Sequence, residues 1–187
     1  MKIKTIDNTS IPGIVIITPE IFKDERGYFF ESFNSVDFNK LGLPAKFVQD
    51  NQAFSKHGTL RGFHYQLRHQ QGKLVRAIQG EVFDVAIDIR VSSPTFGKWV
   101  GTILSENNNK IMYIPEGFAH AYVVLSKNAL FQYKCTAVYH PEDEYGIAWD
   151  DGAINVDWPV KNPILSEKDK NLPDLKNIDK KHLPIYK

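Results

Sequence analysis

Cysteine is almost missing from this chain of 187 residues. Cys135 stands alone, so no internal disulfide forms and a disulfide-stapled secreted scaffold is excluded. No apolar run approaches the roughly 18 residues needed to cross a bilayer. The stretch from Met1 to Pro12 is polar and lacks the apolar core of a signal peptide. Charge of one sign is lacking too: 23 Lys and Arg against 22 Asp and Glu give a formal net charge of +1. That balance creates no global field for nucleic acid or an anionic membrane, though a local basic site for one small anion stays open. No internal repeat or low-complexity block is present. These absences point to a soluble, cytoplasmic protein. Hydrophobic residues at 42% and charged residues at 24% make an ordinary globular balance, and the length suits one domain with a sizeable core.

What the chain does have is period-two alternation. Between residues 82 and 89, Phe83, Val85, Ile87 and Ile89 fall on one face, and Val82, Asp84, Ala86 and Asp88 on the other. That is strand rather than helix. Residues 73–79 form a second short strand, with Gly80 marking the turn between the two. Further strands are expected at 14–18, 28–33, 47–55, 59–66, 98–105, 110–114, 119–125 and 129–139, most of them separated by turn residues such as Pro94, Gly97, Pro115 and Gly117. About ten short strands at this spacing define an all-β barrel or sandwich. Helix is expected in two places only. One is 36–41, capped by Asn34 or Ser35 and stopped by Gly42; the other begins at Ser166, where Ser166-Glu167-Lys168-Asp169 resembles a capping box with Asp for the usual Glu. The Pro- and Lys-rich tail, 171–187, reads as an extended surface segment, so a single domain over 1–187 is the simplest organisation.

A dense polar cluster interrupts the strands: Gln49-Asp50-Asn51, then Arg61-Gly62-Phe63-His64-Tyr65-Gln66, then Lys73. Buried polar groups are costly unless paired, so their concentration on successive strands points to a polar cavity built for a ligand. His64 shares a strand face with Gly62 and Gln66. Histidine titrates near neutral pH, which suits a general base, but a strand histidine also serves structurally. Strict alternation puts Arg61 on the opposite face, so Arg61 and His64 line one cavity only if the strand twists or bulges near Gly62.

The segment Pro115-Glu116-Gly117-Phe118-Ala119-His120 carries the pattern P-x-G-x-x-H and resembles the second motif of the cupin barrels. Metal cupins add His-x-His and a glutamate from an earlier strand. Here that strand offers His64-Tyr65-Gln66, and two imidazoles make no dependable transition-metal site. A cupin-type barrel working without metal is therefore expected. Tyr133 and Tyr139, on one expected strand with equal parity, are either a proton donor and a stacking platform or two core tyrosines. Asp169 beside Lys168 reads alone as a surface charge pair, and Asp24, Arg26 and Glu31 around Gly27 as a charged hairpin.

Read jointly, these pieces resemble the dTDP-4-dehydrorhamnose 3,5-epimerase family. The matching segments begin with Asp24-x-Arg26-Gly27-x-Phe29-x-Glu31, Gln49-Asp50-Asn51, Arg61 to Gln66 and Gln71 to Arg76. They continue with Asp84 to Arg90, Ser93 to Gly97, Ile114 to His120, Tyr133-Lys134, Trp149-Asp150-Asp151 and Leu165 to Asp169. The resemblance implies a cupin-type jelly roll with short peripheral helices and an isomerase without cofactor. It implies conversion of dTDP-4-dehydro-6-deoxy-D-glucose to dTDP-4-dehydro-L-rhamnose, by inversion at carbons 3 and 5, on the way to dTDP-L-rhamnose. His64 paired with Asp169 matches the base, Lys73 the group that stabilises the enolate, and Tyr133 the acid on the opposite face. Arg26 and Arg61 match diphosphate ligands, and Tyr139 the residue that stacks on thymine. Glu31, Gln49, Asp50, Asn51, Gln66, His120, Glu144 and Lys168 match further substrate contacts.

The family also implies a homodimer in which the N-terminal strand region of one subunit helps complete the other's site. Ala121 and Gly72 depart from the family pattern by one methyl each, near His120 and Lys73. Two other readings remain open here: an epimerase of a single centre on a related ketosugar, and a sugar-nucleotide-binding barrel without catalysis. A binder needs neither an acid nor a base, so the joint presence of His64, Asp169, Lys73 and Tyr133 favours the enzyme.

Overall fold

Turn residues divide the chain into thirteen short strands among residues 2–186, which the computed structural model describes. In chain order these are Ile3–Asn8 (β1), Val15–Pro19 (β2), Phe22–Asp24 (β3), Gly27–Phe29 (β4), Gln49–Lys56 (β5), Leu60–Gln66 (β6) and Lys73–Gln79 (β7). Glu81–Asp88 (β8), Trp99–Ser105 (β9), Ile111–Ile114 (β10), Phe118–Val124 (β11), Asn128–Cys135 (β12) and Glu144–Gly146 (β13) follow. Two helices, Ser35–Lys40 (α1) and Glu167–Lys170 (α2), complete the set with a few 3-10 turns. No helix among the described residues is long and apolar enough to cross a membrane.

The strands pair antiparallel into a six-stranded sheet, β1-β2-β10-β7-β12-β5, and a five-stranded sheet, β13-β6-β11-β8-β9, with β3 and β4 as a separate hairpin. This is the all-β jelly roll expected from the pattern. Side chains from both sheets meet in an inner core that includes Val75, Ala77, Val82, Ala86, Leu104, Met112, Tyr122 and Phe131. The outer faces are covered as well. On the five-stranded sheet, Phe63, Tyr65, Val85, Ile87 and Ile89 pack under Ile147, Ile154, Leu175 and Leu183. On the six-stranded sheet, Val15, Ile17, Leu74, Ile111 and Tyr113 pack under Phe38 of α1. Double coverage explains why β8 is buried on both faces while its two parities still separate, Val82 and Ala86 inward and Val85 and Ile87 outward.

The helix expectations hold to within a residue. Asn34 caps α1, its Oδ1 accepting the N–H of Val36 at 3.1 Å, and Gly42 follows the helix at φ +70°. Two strand expectations fail at their ends, and one strand was not expected at all. The strand expected at 28–33 stops at Phe29, because Phe30 turns to lie against the Arg76 guanidinium and Phe33 joins Phe38 and Phe47. The strand expected at 129–139 stops at Cys135, so Tyr139 shares no strand with Tyr133. β1 shows no alternation, being exposed at all but its first residue, and gave the sequence no signal.

The C-terminal segment differs from an extended surface strand. It buries Leu175 and Leu183, bonds Leu175 N–H to Asp151 Oδ2 at 2.7 Å, and receives the Tyr65 hydroxyl on the His182 carbonyl at 2.9 Å. Residues 184–186 run beside Val91, whose N–H reaches the Pro184 carbonyl at 2.8 Å. Its apolar residues are too sparse to make a periodic pattern, yet Leu175, Ile178 and Leu183 pack on the outer face of the sheet.

The bulge required near Gly62 is present. His120 pairs with His64 but Tyr122 pairs with Arg61, so β6 spends one more residue than β11 over that step. Gly62 sits at φ +119°, and a Cβ there would lie 2.6 Å from Ala121 Cβ and against the His120 carbonyl. The extra residue turns Arg61 and His64 to the same side.

Candidate active site

The two sheets part around a cavity of about 340 Å³. β6 and β11 place Arg61, His64 and His120 on one wall, β7 and β12 place Lys73 and Tyr133 on the other, and residues 164–169 close one side.

Asp169 reaches His64 because α2 starts where it does. Ser166 caps the helix, its Oγ accepting the Asp169 N–H at 3.1 Å, and this presents the carboxylate inward at 4% exposure. Asp169 Oδ1 then lies 2.7 Å from His64 Nε2. Burial works against the carboxylate, but the bonds from His64 and Ser166 and the charge of Lys168 outweigh it and hold its pKa below the ordinary value. His64 Nδ1 makes no hydrogen bond among the described residues; a Glu144 oxygen lies 3.8 Å away. The imidazole is thus oriented by one carboxylate, with a second nearby.

A second His–Asp pair was not foreseen. Asp84 of β8, fully buried, meets His120 Nε2 at 2.9 Å. Burial pushes the His120 imidazole down in pKa against the pull of Asp84. The signal was visible: Asp84 sits on the apolar face of β8, where a charge needs a partner. Lys73 is drawn down by burial, against Cys135, Glu144 and Asp84. The Tyr133 phenol is pushed up to about 12, first by burial and then by Cys135 and Tyr122.

The rim is one connected network. Glu144 on β13 accepts from the Tyr139 hydroxyl at 2.7 Å and from the Lys168 ammonium on the same oxygen. That bond to Glu144, with burial behind it, pushes the Tyr139 phenol up to about 12. Burial opposes the Glu144 carboxylate, yet Lys168 and Tyr139 hold its pKa low. Gln49 accepts the Tyr139 N–H at 2.7 Å and donates to Asn51 at 3.0 Å, whose amide points at Cys135 Sγ.

Gln49, Asn51, Tyr139 and Glu144 belong to this network without lining the cavity itself, and four further expected contacts lie outside both. Asp50 has the other parity on β5 and pairs with Lys134 at 2.8 Å, away from the cavity. Gln66 is 4% exposed and spends its amide on backbone groups of His69, Val138 and His140, so it anchors the loop carrying Tyr139 instead of facing a ligand. Arg26 is forked onto Asp24 in the β3–β4 hairpin, and Glu31 accepts from Asn34 just after it; neither lines the cavity. Among the described residues no group of three or more His, Cys, Asp or Glu is placed to hold a metal ion.

A carboxylate-paired histidine on one sheet, facing a phenol and a lysine on the other, is an arrangement suited to acid–base chemistry on a cupin-like jelly roll. Residues 8–177 match the sequence model of a family described as dTDP-4-dehydrorhamnose 3,5-epimerase. A Shigella flexneri protein of that name is 56% identical over 165 residues, covering 87% of this chain and 91% of its own length. The chain belongs to the dTDP-4-dehydrorhamnose 3,5-epimerase family, whose members are carbohydrate epimerases. A Methanothermobacter thermautotrophicus protein of the same name is 52% identical over 181 residues, 95% of each chain. The crystal structure of dTDP-6-deoxy-D-glucose-3,5-epimerase from Legionella pneumophila, in complex with dTDP-4-keto-L-rhamnose, superposes with a TM-score of 0.95 at 50% identity over 98% of each chain.

Proposed function

We propose that this chain converts dTDP-4-dehydro-6-deoxy-D-glucose to dTDP-4-dehydro-L-rhamnose, inverting carbons 3 and 5 in dTDP-L-rhamnose biosynthesis in the cytoplasm. The observation that carries the reading is that an Asp169-oriented His64 and the Tyr133 phenol enter one cavity from opposing sheets. His64 takes the proton from the carbon beside the ketone, and the electron pair moves onto the carbon-4 oxygen. Lys73 stabilises that enolate oxygen, a contribution of about 3 kcal/mol for one well-placed donor. Tyr133 gives its proton to the opposite face, and collapse of the enolate leaves the centre inverted. Solvent then removes the proton from His64 and returns one to Tyr133, and the cycle repeats at the second carbon.

Arg61 holds the diphosphate, Tyr139 stacks on the base, and Gln49, Asn51, Glu144, Lys168 and His120 shape the remainder. Arg26 and Glu31 act on the cavity of a second copy, in a homodimer whose N-terminal strand regions are exchanged. Supporting this, the β3–β4 hairpin that carries Arg26 exposes Phe22, Tyr28 and Phe29 at 45%, 58% and 66%. The test is His64→Asn. The variant keeps wild-type affinity for dTDP while turnover falls by about 10²–10⁴; a variant that still turns over at the wild-type rate refutes the assignment.

A further inference from the structure

One hydroxyl in the cavity has no partner. Tyr122 is 3% exposed and lines the cavity, yet its Oη makes no hydrogen bond among the described residues. It is the one buried side-chain polar atom there left in that state. Leaving such a donor unpaired costs about 1–3 kcal/mol, so the position calls for a ligand or a water. Its ring is held: it stacks on Phe131 at 4.1 Å between centroids, leaving the hydroxyl little freedom to move away.

The surroundings say what kind of acceptor fits. Tyr122 is the cross-strand partner of Arg61, brought there by the β6 bulge. Arg61 Nε donates to the buried Ser55 Oγ at 3.1 Å, which fixes the plane of the guanidinium, and no carboxylate pairs with Arg61 among the described residues. Asp84, the nearby carboxylate, is already taken by His120. A phenol proton and the free guanidinium N–H groups therefore converge on a corner whose nearby protein acceptor, the Ser55 hydroxyl, already accepts from Arg61. Such a corner selects an anionic oxygen with several lone pairs.

We propose that Tyr122 is a substrate-binding residue that donates its hydroxyl proton to a phosphoryl oxygen of the nucleoside diphosphate, alongside Arg61. This rests on the reading of Arg61 as the diphosphate ligand. The free protein holds water at this hydroxyl, and the phosphoryl oxygen displaces it.

Calorimetric titration of dTDP and of thymidine against the wild type, Tyr122→Phe and Arg61→Gln tests it, with thermal melting of each protein alongside. Tyr122→Phe weakens dTDP binding about tenfold, leaves thymidine binding as it was, and leaves the melting temperature close to the wild type, since the hydroxyl makes no well-formed protein hydrogen bond. Unchanged dTDP affinity, or equal losses for both ligands, overturns the inference. If Arg61→Gln weakens dTDP while Tyr122→Phe does not, only this inference fails. If Arg61→Gln also binds dTDP normally, the diphosphate reading of the corner fails with it.

Discussion

Lys73 and Tyr133 face each other's chemistry from neighbouring strands, and burial acts on both in the direction of the neutral form. For the phenol this is useful: with its pKa at about 12 it stays protonated and ready to donate. For the lysine it is a cost, since only the ammonium stabilises an enolate as a cation. Lysine-selective NMR titration should show one ammonium titrating below its ordinary 10.5, and that signal should vanish in Lys73→Met. A full set of lysines at ordinary values contradicts the electrostatics of the site. At this scale the sequence left each residue alone ambiguous; it was the joint spacing of Arg61, His64, Lys73 and His120 that resembled a family. Asp84 and Tyr122 escaped because a strand pattern reveals parity but not which polar pairs meet across the interior. Gln66 looked like a ligand contact and turned out to hold a loop, a distinction that depends on backbone groups more than 60 residues away in sequence.

Short elements place the proposed catalytic groups, so their local rules bear on function. Ser166 caps a helix of four residues, and its loss weakens that turn by about 1 kcal/mol. Because the same turn carries Asp169, Ser166→Ala should lower kcat in steady-state kinetics. Unchanged kcat in the alanine variant means Asp169 is held by other contacts. Gly62 has no comparable freedom: Ala at φ +119° meets Ala121 and the His120 carbonyl, so Gly62→Ala should fail to fold stably or lose the bulge. The C-terminal segment makes a simpler prediction. Leu183 is 4% exposed, and Leu183→Ala should destabilise by about 2–4 kcal/mol in urea unfolding; a change under about 0.5 kcal/mol implies that the tail does not pack on the sheet. Strands with clean alternation and both helix caps were legible in the sequence. The tail, β1 and the loop from Cys135 to Tyr139 were not, since their positions come from long-range docking and carry no local period.

For the molecule as a whole, several buried or half-buried carboxylates share one sign of shift. Asp88, Asp143, Glu144 and Asp169 each resist burial through hydrogen bonds and lie below their ordinary values. Folded pKa values lie below unfolded ones, so as pH falls the unfolded chain takes up protons first. Their stabilisation is present above the ordinary carboxylate range and is lost progressively beneath it. The melting temperature should hold steady near neutrality and fall from about pH 5 downward; a flat profile to pH 3 rules this out.

The two-sheet architecture puts His64 and Tyr133, the proposed base and acid, on opposite sides of one cavity, and that opposition is the central claim. Incubation with dTDP-4-dehydro-6-deoxy-D-glucose in deuterated water, followed by proton NMR of the sugar, tests it most directly. The account predicts loss of the proton signals at both carbon 3 and carbon 5, with product that a reductase converts to dTDP-L-rhamnose. Exchange at one carbon only, or exchange without inversion, contradicts it.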